Sequence, residues 1–252
     1  MIRFVALLIL LVPALFAQRG FKPLFNGKDL SGWHKNPAKI GHGTGGDWRV
    51  ENGAIVGEQD PPGSGNGGIL LTDEKFGNFE VIFEVHPDWG VDSGFFLRST
   101  DTGKCYQIML DYHEDGNVGE IYREGLDAAT NRTFQFQGVY ADAGKTQLKE
   151  ILAINAPKSP KGAGGQPMID LKRWSKIWHL NTWNTIRARV EGNPPTISSW
   201  VNGTQVTRYV SDQKFEGVLS DTGSLAVQVH GGQKAWPKGA KIRFRNIRVK
   251  PL

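Results

Sequence analysis

The strongest constraint in this 252-residue sequence is a two-residue hydrophobic period that keeps returning along the chain. Phe79, Val81, Phe83 and Val85 alternate with Glu80, Ile82, Glu84 and His86. Ile186, Ala188 and Val190 alternate with Arg187, Arg189 and Glu191, and Leu225, Val227 and Val229 alternate with Ala226, Gln228 and His230. Successive side chains of a strand point to opposite faces, so these patterns describe strands with one face on a core. Residues 93–99 and 105–111 read as two further strands, separated by the turn-forming Asp101-Thr102-Gly103. Residues 48–56 read as a hairpin turning at Glu51-Asn52-Gly53, and residues 200–206 as another, whose Asn202-Gly203 suits a type I′ turn. Helical periodicity is almost missing. Many short strands with turn signals predict an all-β sandwich of the jelly-roll kind.

The last strand carries a detail of its own. Ile242 and Phe244 share one phase, whereas Ile247 and Val249 share the other. One extra residue near Arg245-Asn246, a β-bulge, brings all four to the core. Lys241, Arg243, Arg245, Arg248 and Lys250 then form the solvated face of that strand. The formal net charge of +5 is otherwise spread along the chain, which argues against nucleic acid as a partner. Two stretches lack strand patterning. Residues 57–68 form a Gly/Pro loop, of a length often functional. Residues 123–182 form a long insertion capping one end of the sandwich, with a short helix expected over 145–152.

The first residues point to export. Arg3 precedes an apolar run at 4–16, interrupted only by Pro13, and Ala17 offers a small residue for cleavage. Residues 1–17 are therefore expected to be a signal peptide, too short to span a bilayer permanently. Residues 18–252 are then one domain, expected in the periplasm or outside the cell and free of the membrane once cleaved. The lone Cys105 excludes an internal disulfide and is expected to be a packing residue.

Several common signatures are missing: a P-loop, a dinucleotide fingerprint following a strand, H-E-x-x-H, G-x-S-x-G, and the E-x-D-x-E strand of many sandwich-fold glycosidases. The densest polar cluster runs from Asp111 through Tyr112, His113, Glu114 and Asp115, followed by Glu120 and Tyr122. Asp111, His113 and Glu120 stand out, because polar residues at strand ends can face a cleft and carboxylates can tune a histidine as a base. Arg98, among Phe95, Phe96 and Leu97, needs a partner if buried, and Glu84 is the expected one. Gln228 and His230 lie on the polar face of their strand. The sequence holds eight tryptophans. Trp48, Trp183 and Trp200 are expected in the core, and Trp33, Trp89, Trp178 and Trp236 as platforms for a sugar ring.

Ten pieces of this chain, in order, resemble the 3-keto-disaccharide hydrolase family, which has a concanavalin-like jelly roll. They are residues 25–33 (FNGKDLSGW), 48–53 (WRVENG), 70–72 (LLT), 79–80 (FE), 92–98 (DSGFFLR), 106–111 (YQIMLD), 183–184 (WN), 201–203 (VNG), 228–231 (QVHG) and 244–247 (FRNI). The chain departs from the family pattern at Asp92, where Asn is more usual, and at residues 106–109, where Tyr-Glu-x-Gln is. The resemblance implies a carbohydrate substrate whose C3 ketone acidifies the C2 proton, so that a base removes it and the glycosidic oxygen leaves by elimination. It implies His113 or Asp111 as base, Arg98 or a bound divalent metal ion as enolate stabiliser, and Glu120 or His230 as acid. A metal would be held by Asp111, His113 and Glu120. Glu84, Tyr122, Gln228, Trp89, Trp178 and Trp236 form the expected substrate-binding set. Two other readings fit the same residues: a non-catalytic carbohydrate-binding module, and an adhesion domain whose insertion makes the contact.

Overall fold

The structure, a computed structural model, describes residues 19–158 and 166–252. The expected signal peptide lies outside the described residues. Two antiparallel sheets face each other. The larger has the order β14 (Thr204–Val210), β13 (Thr196–Val201), β12 (Asn184–Glu191), β6 (Phe79–Pro87), β16 (Ile242–Pro251), β4 (Ala54–Glu58) and β3 (Asp47–Glu51), with β1 (Lys22–Pro23) also pairing to β16. The smaller has the order β2 (Trp33–Lys35), β5 (Gly68–Phe76), β15 (Gly223–Val229), β7 (Gly94–Ser99), β8 (Cys105–Leu110) and β9 (Val118–Glu124). Neighbours such as β6 and β12, or β5 and β15, are distant in sequence, as a jelly-roll sandwich requires.

The layer between the sheets follows the alternation. Phe79, Val81, Phe83 and Val85 of β6 meet Phe95 and Leu97 of β7, Ile108 and Leu110 of β8, and Leu225, Val227 and Val229 of β15 in one buried cluster. Phe83 and Phe95 stack across the sheets with ring centroids 4.1 Å apart and planes 13° apart. The expected bulge is present: the register of β16 against β6 shifts between Arg245 and Arg248, and Asn246 has φ 52°. Ile242, Phe244, Ile247 and Val249 are all fully buried. The Asn202-Gly203 turn links β13 to β14, with both residues at positive φ.

The 123–182 segment differs from expectation. Instead of a helix over 145–152, β10 (Phe134–Tyr140) and β11 (Leu148–Asn155) form a separate antiparallel hairpin. Ile151 and Ala153 of β11 are buried in alternation, and Phe136 packs against Trp174. Pairing with β10 is a tertiary choice that the short run LKEILAIN does not announce. Helix appears only at Leu171–Arg173 and Trp174–Ile177 among the described residues. No described helix is long and apolar enough to cross a membrane.

The tryptophans sort differently from expectation as well. Trp48 is buried as foreseen. Trp33, Trp178 and Trp236, expected as platforms, are also buried; Trp33 Nε1 donates to the Leu24 carbonyl and Trp236 Nε1 to that of Ala240. One nearby carbonyl satisfies an indole's single donor, so a loop indole can serve as core. Trp183 and Trp200, expected in the core, are half-buried on the outer face of the larger sheet. There the guanidinium of Arg245 lies 4.1 Å from the Trp183 ring and that of Arg187 lies 4.8 Å from the Trp200 ring. Phe95→Ala, which removes one ring of the inter-sheet stack, is expected to lower unfolding free energy by roughly 3–5 kcal/mol, measured by urea denaturation.

Candidate active site

Because Tyr106, Ile108 and Leu110 of β8 face the inter-sheet core, the alternate residues Gln107, Met109 and then Asp111 face away from it. That outer face of the smaller sheet is itself largely covered. Ile69, Leu71, Phe96, Cys105 and Ala226 form a second buried patch under Ile40, and burial raises the Cys105 thiol pKa well above its usual range. Beside this patch opens a cavity of about 360 Å³. Asp92, Gln107, Asp111, Tyr122, Glu124, Arg132 and His230 are among the residues lining it.

Backbone pairing builds one wall. Tyr112 N–H donates to the Val91 carbonyl and Leu110 N–H to that of Ser93, and Val91 bridges Tyr112 in antiparallel fashion. Asp92 therefore stands opposite Asp111. Burial, then the Asp92 charge, raises the Asp111 pKa well above the ordinary carboxylate range. His113 stands beside them, with Nε2 3.8 Å from Asp92 Oδ2 and Nδ1 2.6 Å from the Glu114 carbonyl oxygen.

Another part of the cavity lining rests on His230 and its support. His230 Nδ1 lies against the Gly231 carbonyl, and its ring meets that of His42 edge to face at 4.5 Å. His42 Nε2 is 3.1 Å from Glu124 Oε1 and 2.9 Å from Gln228 Nε2. Gln228 is fully buried beneath the pocket, with Oε1 3.3 Å from Gln107 Nε2.

Asp111, His113, Tyr122, Gln228 and His230 are thus brought together, whereas the other candidates are not. Glu120 is sealed under the chain: Thr133 N–H and Oγ1 and Asn117 Nδ2 all donate to its carboxylate. Burial outweighs these donors and pushes its pKa up to about 7. Arg98, at φ 54°, does not meet Glu84. It donates to the carbonyls of Gly77 and Gly192 and to Asn78 Oδ1, tying β7 to two loops away from this cavity. Glu84 instead pairs with Arg245 at 2.6 Å on the outer face of the larger sheet. Trp89 is half-buried against Tyr112, its Nε1 donating to Tyr140 Oη, and does not line the cavity; nor do the buried Trp178 and Trp236.

The sequence reading missed His42, Glu124 and Arg132 as site residues. The last two lie at the start of the segment without clear strand patterning. Asp92 appeared only as a departure from the family pattern. The departures Asp92, Gln107 and Met109 all prove to be pocket residues.

The sequence model of a family described as a 3-keto-alpha-glucoside-1,2-lyase-like domain matches residues 20–250. The chain belongs to this family. It is thereby a carbohydrate-active, glycosyl hydrolase-like domain. A curated 3-keto-disaccharide hydrolase of Bacteroides thetaiotaomicron is 24% identical over 258 residues, covering 92% of this chain and 79% of that one. Among solved structures, a candidate glycosyl hydrolase of Parabacteroides distasonis aligns with TM-score 0.54 at 19% identity, covering 92% of this chain and 99% of that one. β-Agarase B of Zobellia galactanivorans aligns with TM-score 0.50 at 12% identity, covering 87% and 84%. These two likenesses are of fold.

Two outcomes separate structural from site residues in this family domain. Glu120 holds its proton more tightly folded than unfolded, so its contribution to stability is complete below pH 4.5 and falls away as pH rises to about 7. Glu120→Gln is expected to flatten that decline, on the order of 3 kcal/mol, in urea melts across the interval. Arg98→Ala leaves its acceptors unpaired and is expected to cost roughly 2–4 kcal/mol while leaving the turnover of folded protein unchanged.

Proposed function

We propose that this protein cleaves 3-keto-glucosides or related oxidised disaccharides by removing the C2 proton and eliminating the glycosidic oxygen. The observation that carries the reading is the convergence of carboxylates, an oriented histidine, a tyrosine and an arginine on one open cavity of about 360 Å³. The family description and the activity named for the Bacteroides relative support the same chemistry.

The steps follow from the substrate. A ketone at C3 makes the neighbouring C2 hydrogen acidic, because the charge left behind spreads onto the ketone oxygen. A base takes that proton, the C1–C2 double bond forms, and the C1–O bond breaks as the leaving oxygen gains a proton. Adding water across the double bond, hydrogen to C2 and hydroxyl to C1, completes a net hydrolysis.

His230 is assigned the C2 proton. The Gly231 carbonyl against Nδ1 keeps a hydrogen on that nitrogen and leaves the Nε2 lone pair free. Arg132 takes the enolate-stabilising place expected of Arg98, since it lines the cavity and Arg98 does not. The Asp92, Asp111 and His113 corner meets the ketone side of the ring. Tyr122 and Glu124 stand on a neighbouring strand to return a proton to the leaving oxygen. The reading includes export through the leader at 1–17, which places the enzyme in the periplasm or outside the cell.

The test incubates residues 18–252 with 3-keto-trehalose or an aryl 3-keto-glucoside and measures released sugar or aglycone. His230→Ala is expected to lower kcat/KM by about 10²–10⁴ with the urea midpoint unchanged. Sugar affinity without any turnover by the wild type would overturn the reading in favour of a binding module.

A further inference from the structure

The Gly/Pro loop at 57–68 supplies none of the described residues that line the cavity, yet it is fastened to the turn that carries His230. Gly232 N–H donates to the Gly65 carbonyl at 2.8 Å, and Gly67 N–H to that of His42 at 2.8 Å. The backbones touch: a Cβ on Gly67 would lie 2.1 Å from the Val229 carbonyl oxygen, and one on Gly231 2.3 Å from that of His42. Inside this contact Gln59 is fully buried. Its Nε2 donates to the carbonyls of His230 at 2.9 Å and Gly232 at 3.0 Å, and its Oε1 accepts from Gly65 N–H at 3.0 Å.

Those two carbonyls flank the one that decides the state of His230. The carbonyl of Gly231 lies against His230 Nδ1, and in a neutral imidazole the partner of one nitrogen sets whether the other carries the lone pair. This partner belongs to a Gly231-Gly232 pair, with Gly232 at φ 93°. Glycine restrains its own peptides least of all residues, so the turn by itself leaves the Gly231 carbonyl free to swing. The Gly231 N–H reaches only His42 Nδ1, at 3.4 Å. The firm restraints come from the 57–68 loop. Gly65 holds the Gly232 N–H end of the peptide that contains the Gly231 carbonyl, and Gln59 holds Gly65 together with the carbonyls on both sides.

We propose that Gln59 is a positioning residue for the reaction: through the 230–232 turn it holds the Gly231 carbonyl that keeps the hydrogen on His230 Nδ1 and the lone pair on Nε2. The inference rests on the proposed reading for its purpose, since that reading gives His230 the C2 proton. Gln59 itself does not line the cavity, and Asp92, Asp111 and Arg132 come to it from other segments. Loss of Gln59 therefore slows proton transfer and leaves the contacts that bind the sugar in place, an effect on kcat rather than KM.

The linkage can be read without substrate. In residues 18–252 carrying ¹⁵N-labelled histidine, the imidazole nitrogen shifts report the tautomer, and the signal lost in His230→Ala identifies His230. Wild type is expected to show a single Nδ1–H tautomer there, and Gln59→Met a mixture of both. On 3-keto-trehalose, Gln59→Met is expected to lower kcat about 10- to 10²-fold with KM nearly unchanged. Arg98→Ala, destabilised but away from the cavity, is expected to change neither tautomer nor kcat. Should the Met variant not fold, Gln59→Glu keeps the acceptor for Gly65 N–H, loses both donors as a carboxylate, and is expected to give the same two changes. A folded Gln59 variant that keeps the wild-type tautomer or the wild-type kcat overturns the inference. A tautomer that follows Gln59 in a protein that cleaves no 3-keto sugar overturns the proposed function and leaves the hold of Gln59 on His230 standing.

Discussion

The apolar layer between the two sheets sets the phase of every strand, and the placement of the site follows from that phase. Phe83 and Phe95 stack across the layer, and once Phe95 faces inward, Leu97 does too. The neighbouring β8 must then send Ile108 and Leu110 to the core and Gln107 and Met109 outward. A slip of one residue would exchange the two sets and place Gln107 in the dry layer while exposing Ile108. The same constraint explains the bulge at Asn246, which restores Ile247 and Val249 to the inside.

Two kinds of buried charge arise from this arrangement. Arg98 and Glu120 are enclosed and satisfied by fixed partners, so their charges hold loops in place and have no free valence for a ligand. Among the described residues, Asp92 and Asp111 are brought together with no lysine or arginine within ion-pair distance, and burial beside Asp92 raises the Asp111 pKa. The first two residues contribute to the frame; the second two line a cavity where a ligand can meet them.

Much of the fold was legible from residues alone. The alternations at 79–86, 186–191 and 225–230, the Asn202-Gly203 turn and the bulge in the last strand were all readable, because period and turn chemistry are local properties. The β10–β11 hairpin was not, because the run at 148–155 supports helix and strand alike until a partner strand appears. Arg98 was misread for a related reason. A guanidinium among apolar neighbours demands acceptors, but the sequence does not say that Gly77, Asn78 and Gly192 converge to supply them. The tryptophans failed in the same way: an indole's position in a loop says nothing of which carbonyl or guanidinium the fold brings to it.

Asp111, His113, Tyr122, Gln228 and His230 could be named from one sequence, because strand alternation alone puts them on a polar face or at a strand end. Which of them share a cavity, and with which others, was decided by sheet order. β15 joins the consecutive strands β7, β8 and β9 only in the folded molecule. Asp92 comes opposite Asp111 through the β7–β8 hairpin register, whereas His42 comes beside Glu124 and His230 through contacts between distant segments. Local alternation is enough to specify a β-sandwich with a polar strand face. Which charges on that face meet is set by strand order, since contact between strands depends on pairing partners that local periodicity does not encode.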